Sequence, residues 1–370
     1  MTGRLAATSF PVVPGARGLR RPPRPDTPGL VNLKSCELQH PVADGLVRDA
    51  VRDLRTGLVR SYPQQRDLLA ALAAYHGVDE PELVLTAGSD LAIGLLVDAF
   101  AVAAGGLILP EPSFEAWRYY ATLRGVPVAA VPQLTGPRHA LDCAPLLAAM
   151  RSSPPRVVAV TNPASPSGLL LSRHEIVELA EAAEAHGHLL VVDECYGAYT
   201  STTHVDLLGR FRRLVVVRSY SKSFALAGAR IAAVFAHESI AAQLGAFHPA
   251  GPVSGPAIGL LRGLLDRADE FARVWRDVAA IRDEFAARVL RTHPAWTALR
   301  PGGNFVTLAT GSPDAPARVT EFLRARGFRI RALDGLPGLT GCLRVSMTDA
   351  ATMSLVAATL AEVDDDGHPR

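Results

Sequence analysis

Six short stretches in this chain are apolar at almost every position. They are Leu83-Val84-Leu85-Thr86, Leu107-Ile108-Leu109, Val157-Val158-Ala159-Val160, Leu189-Leu190-Val191-Val192, Leu214-Val215-Val216-Val217 and Ile231-Ala232-Ala233-Val234-Phe235. A strand with one wet face alternates apolar and polar side chains, and these stretches do not. Strands covered on both faces look like this, and a mostly parallel sheet with helices on each side covers them. The pattern therefore predicts an α/β fold with a sandwiched sheet.

The polar residues gather just after the strands. Gly88-Ser89 follows the first, Pro110 the second, Thr161-Asn162-Pro163 the third, and Asp193 the fourth; Ser219 lies just past the fifth. In open α/β sheets the carboxyl edge of the strands is where ligands bind. A helical pattern runs from Ser89 to about Ala104. Ser172-Arg173-His174-Glu175 reads as a capping box opening a second helix, with Ile176, Leu179, Ala180 and Ala183 on one face and Gly187 as its stop. From about Pro256 the texture changes to long amphipathic helices, followed by a mixed segment with Asn304-Phe305-Val306 and Leu343-Arg344-Val345-Ser346. The expected division is a disordered or loosely docked leader over 1–28, an N-terminal segment over 29–60 that joins the small domain, a large domain over 61–255, and a linking helix with a smaller α+β domain over 256–370.

Composition narrows the function. With 370 residues and 48% hydrophobic content the chain can bury a sizeable core, and a net charge of +2 argues against nucleic acid or an anionic membrane as partner. No apolar run reaches the roughly 18–20 residues of a membrane helix. Cys36, Cys143, Cys195 and Cys342 are far apart, with no metal spacing and no disulfide framework, so a reducing cytoplasm is expected. The first 25 residues hold five arginines, five prolines and no acid, but no apolar export segment follows Arg20-Arg21.

Among 38 basic residues only Lys34 and Lys222 are lysines, and asparagine occurs only at 32, 162 and 304. In so arginine-rich a chain, a lysine marks chemistry that a guanidinium cannot supply. Lys222 stands in Ser219-Tyr220-Ser221-Lys222-Ser223-Phe224, directly after a buried-strand pattern. An amine there forms a Schiff base, and arginine does not. Asp193 ends another such strand, where a carboxylate can pair with a protonated pyridine nitrogen. Ser219, Ser221 and Arg230 offer hydroxyls and a forked cation to a phosphate. Together these are the requirements of pyridoxal phosphate. Lys34 reads as a surface residue.

At these residues the chain resembles the fold type I pyridoxal-phosphate aminotransferases of class I/II, most closely the branch of the histidinol-phosphate aminotransferases and threonine-phosphate decarboxylases. The resemblance spans roughly residues 30–360. It rests on Ala87-Gly88-Ser89-Asp90, Asn162-Pro163-Ala164-Ser165-Pro166-Ser167-Gly168, Val192-Asp193-Glu194-Cys195-Tyr196, Ser219 to Phe224 with Gly228-Ala229-Arg230, and Cys342-Leu343-Arg344-Val345-Ser346. Asn162, Asp193, Lys222 and Arg230 follow at intervals of 31, 29 and 8 residues, as in the family.

The resemblance implies roles. Lys222 carries the cofactor and moves the substrate α-proton, Asp193 pairs with the ring nitrogen, and Asn162 and Tyr196 meet the ring hydroxylate. Gly88, Ser89, Asp90, Ser219, Ser221 and Arg230 belong to the cofactor site, mostly at its phosphate. Phe114 stacks on the ring. Tyr62 reaches the neighbouring subunit's cofactor, which implies a homodimer with shared sites. Arg344 clamps the substrate carboxylate, Arg331 meets a distal phosphate, and Asn304 is a further substrate contact. The implied reaction is amino transfer between an amino acid or amino-phosphate and a 2-oxo acid or ketone, in amino-acid metabolism or biosynthesis.

The substrate half departs from the pattern. Ser35-Cys36-Glu37-Leu38-Gln39-His40-Pro41 stands where histidinol-phosphate enzymes carry an Asn-Glu-Asn-Pro-Tyr-like segment. Gly251-Pro252-Val253-Ser254-Gly255-Pro256 replaces a segment that often holds asparagine. Histidinol phosphate is therefore not expected to be the best substrate. Phospho-amino-acid decarboxylation, or elimination and cyclisation in specialised metabolism, are the alternatives on the same cofactor. A non-catalytic sensor would need a DNA-binding domain ahead of this fold, and a nicotinamide dehydrogenase would need G-x-G-x-x-G after its first strand; neither is present in this sequence.

Overall fold

All six apolar stretches fall in strands, the sixth from Ala232 onward, and their neighbours explain why they lack polar residues. The computed structural model describes residues 13–17, 19, 28–136, 139–200, 202–249, 251–299 and 302–370. We number the strands of interest β1 (Val31–Asn32), β2 (Leu83–Thr86), β3 (Leu107–Glu111), β4 (Val128–Pro132), β5 (Val157–Thr161), β6 (Leu189–Asp193), β7 (Leu214–Ser219) and β8 (Ala232–Ala236). Seven of them form one sheet in the order β2-β8-β7-β6-β5-β3-β4. β4, β3, β5, β6 and β7 are parallel to one another, and only β8 runs against its neighbours β7 and β2. The carboxyl ends of β2, β5, β6 and β7 thus share one edge.

Successive side chains of a strand point to opposite faces. Val158, Val160, Leu190, Val192, Leu214 and Val216 enter the core on one face, whereas Val157, Ala159, Val191, Val215 and Val217 enter a second core on the other. Neither face is wet, so no position selects a polar side chain. β3 continues through Pro110 and Glu111 instead of stopping at the proline. There β5 no longer pairs with it, and only β4 does, so the missing N–H of Pro110 interrupts no ladder on the β5 side.

The capping box forms: Ser172 Oγ accepts from Glu175 N and opens the helix Arg173–His186, which ends at Gly187 with φ 75°. The helix after Gly88 departs from the unbroken pattern. It runs over Ser89–Leu96, widens into a π turn at Val97–Ala101, and resumes at Val102–Ala104. One added residue in a stretch whose only charged side chain after Asp90 is Asp98 leaves the periodicity without a mark of the wider turn.

A second sheet holds β9 (Thr297–Ala298), β10 (Phe305–Ala309), β12 (Arg331–Ala332) and β13 (Cys342–Ser346), in the antiparallel order β9-β10-β13-β12. Beside it β1 pairs in parallel with β11 (Phe328–Arg329). The helices Gly255–Leu265 and Ala268–Thr292 connect the two sheets along the chain. Most of the expected leader lies outside the described residues. Its described part includes a 3-10 turn at Pro14–Ala16 packed on the helix Glu115–Arg124. No helix among the described residues is long and apolar enough to cross a membrane.

Candidate active site

β7 delivers Lys222 to the shared sheet edge. Ser219 ends the strand and caps the single turn Tyr220–Ser223, its Oγ accepting from Ser221 N at 3.3 Å. Tyr199 Oη donates to Lys222 O at 2.7 Å and Trp275 Nε1 donates to Ser223 O at 2.6 Å, so the turn is held from two sides. The Lys222 side chain leaves this clamp and donates from Nζ to Ser35 O at 2.7 Å. Burial lowers its pKa, which favours the neutral amine that a nucleophile or base requires.

β6 delivers Asp193, which is 1% exposed. Its Oδ1 accepts from Cys195 N at 3.0 Å, and burial raises its pKa from 3.8 to about 6. None of the groups acting on it is a cation. The thiol of Cys195 lies among Asp193, Ser89 and Lys222, and burial and Asp193 push its pKa up. Tyr196 packs edge-on to Phe305 with ring centroids 5.1 Å apart, and burial raises its phenol well above the ordinary value. Asn162 is at the same edge, but both ends of its amide engage the backbone of Leu171, with Leu171 N donating to Oδ1 at 2.9 Å and Nδ2 donating to Leu171 O at 3.2 Å.

Gly88 and Arg230 form a cup. Gly88 has φ 85°, and a β-carbon there would come within 2.9 Å of the Arg230 Cζ. The positive φ favours glycine here, and a side chain would push the guanidinium away; Arg230 itself holds a left-handed φ of 56°. Ser89 opens a helix at the cup, where free N–H groups and the helix dipole favour an anion. Ser219 and Ser221 are buried close to Lys222. Asp90 instead turns to Tyr120, whose Oη donates to its Oδ2 at 3.4 Å. Phe114 is partly buried and packs against the second core.

Arg344 on β13 is 4% exposed. Its Nη2 donates to Lys34 O at 2.8 Å and its Nη1 reaches Ser165 Oγ at 3.4 Å, while Nε has no partner. Its guanidinium carbon lies 5.1 Å from the Phe305 ring. Asn304 is fully buried; Nδ2 donates to Cys36 O at 2.9 Å and Oδ1 has no partner. Arg331 lies 3.6 Å from Glu115. Tyr62 is 92% exposed.

Three residues that the sequence did not mark as site residues line this region. Ser35 accepts from Lys222, and Cys36 packs with Tyr196 and Phe305 in a strained backbone conformation, φ 53°. Lys34 is the third, and it is not the free surface lysine expected from the sequence. It is half-buried, and burial and the charges of Arg329 and Arg331 lower its pKa. Its rarity was the signal available in the sequence.

The residues fit pyridoxal phosphate. Gly88 leaves room beside the Arg230 guanidinium, which would suit a phosphate, Lys222 would supply the amine, and a protonated pyridine nitrogen would give Asp193 the positive partner its burial lacks. A family model described as "Aminotransferase class I and II" matches residues 28–360. The chain belongs to this family. This aminotransferase therefore takes pyridoxal 5'-phosphate as cofactor and amino compounds as substrates. It is 32% identical over 325 residues to a histidinol-phosphate aminotransferase of Methylibium petroleiphilum, covering 86% of this chain and 85% of that protein. It is similarly 32% identical over 323 residues to one of Chromobacterium violaceum, covering 86% and 88%. The fold matches a histidinol-phosphate aminotransferase from Sinorhizobium meliloti, solved with pyridoxal-5'-phosphate, at a TM-score of 0.80, 23% identity, and 96% and 98% coverage of this chain and that one. It also matches an L-threonine-O-3-phosphate decarboxylase from Porphyromonas gingivalis at a TM-score of 0.75, 21% identity, and 90% and 98% coverage.

Proposed function

We propose that this aminotransferase exchanges an amino group between an α-amino acid and a 2-oxo acid or ketone, with Lys222 as the proton-moving base and Arg344 as the carboxylate clamp. One observation carries the reading. Adjacent carbonyls hold the two groups: Lys34 O takes Arg344 Nη2 at 2.8 Å and Ser35 O takes Lys222 Nζ at 2.7 Å. Consecutive residues are about 3.8 Å apart, so the guanidinium and the amine are within reach of the carboxylate and α-carbon of one amino acid.

Bound pyridoxal phosphate supplies an electrophilic carbon and a ring that withdraws electrons from the substrate α-carbon. The chain's own residues do the rest. Arg230, Ser89, Ser219 and Ser221 hold the phosphate, and Asp193 keeps a positive charge on the ring nitrogen. Arg344, with its orphan Nε, has donors ready for a carboxylate oxygen. A substrate carboxylate fixed there is retained through the reaction, which supports removal of the α-proton to Lys222 Nζ over loss of carbon dioxide. The holoenzyme should convert to its pyridoxamine form, followed by absorbance, with at least one member of a panel of amino acids and amino phosphates. Carbon dioxide release without that conversion would make it a decarboxylase. We place histidinol phosphate below other members of the panel, because residues 35–41 and 251–256 depart from the family pattern. The highest specificity constant for histidinol phosphate would refute that ordering.

We further place the enzyme in a reducing cytoplasm as a homodimer. Tyr62 at 92% exposure and Val59 at 73% form an apolar projection that a partner subunit would cover, with Tyr62 at the partner's cofactor phosphate. Sedimentation at micromolar concentration should give a dimer, and Tyr62→Ala should weaken cofactor retention by about tenfold, the cost of one hydrogen bond to a charged group. A monomer that still turns over would contradict the shared site.

A further inference from the structure

Two buried carboxylates follow one another at the end of β6, and the chain treats them differently. Asp193 accepts from Cys195 N at 3.0 Å. Glu194, whose side chain is 1% exposed, accepts four hydrogen bonds. His204 N and His204 Nδ1 donate to its Oε1 at 2.6 and 2.7 Å. Thr203 Oγ1 and Arg218 Nη1 donate to its Oε2 at 2.8 and 3.1 Å. A buried carboxylate needs donors on both oxygens and a cation beside it, and Glu194 has them. The reaction derived above uses none of these groups.

The donors come from two places that also build the cofactor site. Arg218 belongs to β7, where side chains alternate between the faces of the sheet. Asp193 pairs with Val217, which enters the second core, and Ser219 shares that face. Arg218 lies on the opposite face, with Val216. Glu194 N extends the ladder by donating to Val217 O at 2.8 Å. The Arg218–Glu194 pair therefore ties the carboxyl end of β6 to that of β7 from behind Asp193 and Ser219.

Thr203 and His204 lie beyond the turn that begins at Tyr196. Their three bonds staple the return of that turn to the same carboxylate. Tyr199, within the turn, donates from Oη to Lys222 O at 2.7 Å. One carboxylate behind the sheet edge thus connects the strand end with Asp193, the turn with Tyr196, and the strand leading to Lys222. Apolar packing could hold these segments together as firmly. Charge-assisted hydrogen bonds add fixed lengths and directions.

We propose that Glu194, paired with Arg218, is a positioning residue for the cofactor, fixing the spacing of Asp193, Tyr196 and Lys222 from the far side of the sheet. It acts through those three residues. Preorganised groups must be held to about 0.5 Å, which loose strand ends do not achieve. The inference rests on Asp193 and Lys222 as cofactor residues. It does not depend on which substrate bond is broken, so its test is made without substrate.

The holoenzyme and three variants are compared by the visible circular dichroism of the bound cofactor, which reports the tilt of its ring, and by the rate of cofactor release. Glu194→Gln keeps the shape and removes the charge. Arg218→Met keeps the stem and leaves Glu194 three donors, so its fold has less to lose. Both should change the dichroism per bound cofactor and release it about 10- to 100-fold faster, the range for a lost charged hydrogen bond. Arg218 reaches Glu194 through one bond, from Nη1, so a point charge can replace it. Arg218→Lys should therefore restore most of the wild-type signal and retention. The proposal is overturned if Arg218→Met lowers the melting temperature but keeps the wild-type dichroism and a release rate within about twofold, since the pair then serves stability alone. It is equally overturned if Arg218→Lys rescues neither reading. The expected pattern in a holoenzyme that releases carbon dioxide and never forms the pyridoxamine cofactor would uphold this inference and refute the proposed reaction.

Discussion

Lys222→Ala should lower turnover by about four orders of magnitude or more, because it removes both the covalent anchor of the cofactor and the base at the substrate α-carbon. The fold should survive. In the structure the Lys222 side chain makes one hydrogen bond, to Ser35 O, and the clamp on its turn uses backbone carbonyls held by Tyr199 and Trp275. Loss of a half-buried ammonium whose charge burial already disfavours should change stability by only about 1 kcal/mol. The chain offers an unusually clean chemical test, since its only lysines are Lys34 and Lys222. Borohydride reduction of the holoenzyme and peptide mapping should place the pyridoxyl group on Lys222, and the Lys222→Ala protein should take up none. A label on Lys34, or normal turnover of the variant, would remove Lys222 from the centre of the site.

What the sequence made legible is local. A strand buried on both faces has no polar position, so β5, β6 and β7 announce themselves, as do Asp193 and Lys222 at their ends. The box at Ser172 and Glu175 needs only four residues to be read. Pairings that join distant parts of the chain leave no such mark. β1 is two residues long, and nothing in Val31-Asn32 names Phe328 and Arg329 as partners. Arg331 opposite Arg344 depends on the register of β12 with β13, and a shift of one residue would put the two on opposite faces. Lys34 looked like a surface lysine because its surroundings come from residues almost three hundred positions away. Asn162 illustrates the converse. Its position was evident, but the engagement of its amide by Leu171 depends on how the chain returns after Gly168.

Asp193→Asn should act in opposite directions on the cofactor-free and cofactor-bound protein. In the folded protein without cofactor, burial raises the carboxyl pKa from 3.8 to about 6. A raised folded pKa stabilises the native state below the ordinary value, and that contribution is lost as pH rises through about 6. At pH 8 the ionised, buried Asp193 therefore costs the cofactor-free fold about 3 kcal/mol relative to a carboxyl that stayed protonated. An amide keeps the shape, can still accept from Cys195 N, and carries no charge. The cofactor-free variant should melt a few degrees above cofactor-free wild type at pH 8, with the gap closing as the pH falls toward 4. With cofactor bound the order should reverse, since a protonated pyridine nitrogen is the partner that makes the buried carboxylate favourable and that an amide cannot keep charged. Turnover of the variant should then fall by about two to three orders of magnitude, the scale of one lost preorganised electrostatic contact. Thermal melts of both forms across that pH range, with kcat for the loaded enzyme, decide the matter. A cofactor-free variant less stable than wild type at pH 8 would show that the Asp193 charge is already compensated within the chain, and near-normal turnover would show that the ring nitrogen is served elsewhere.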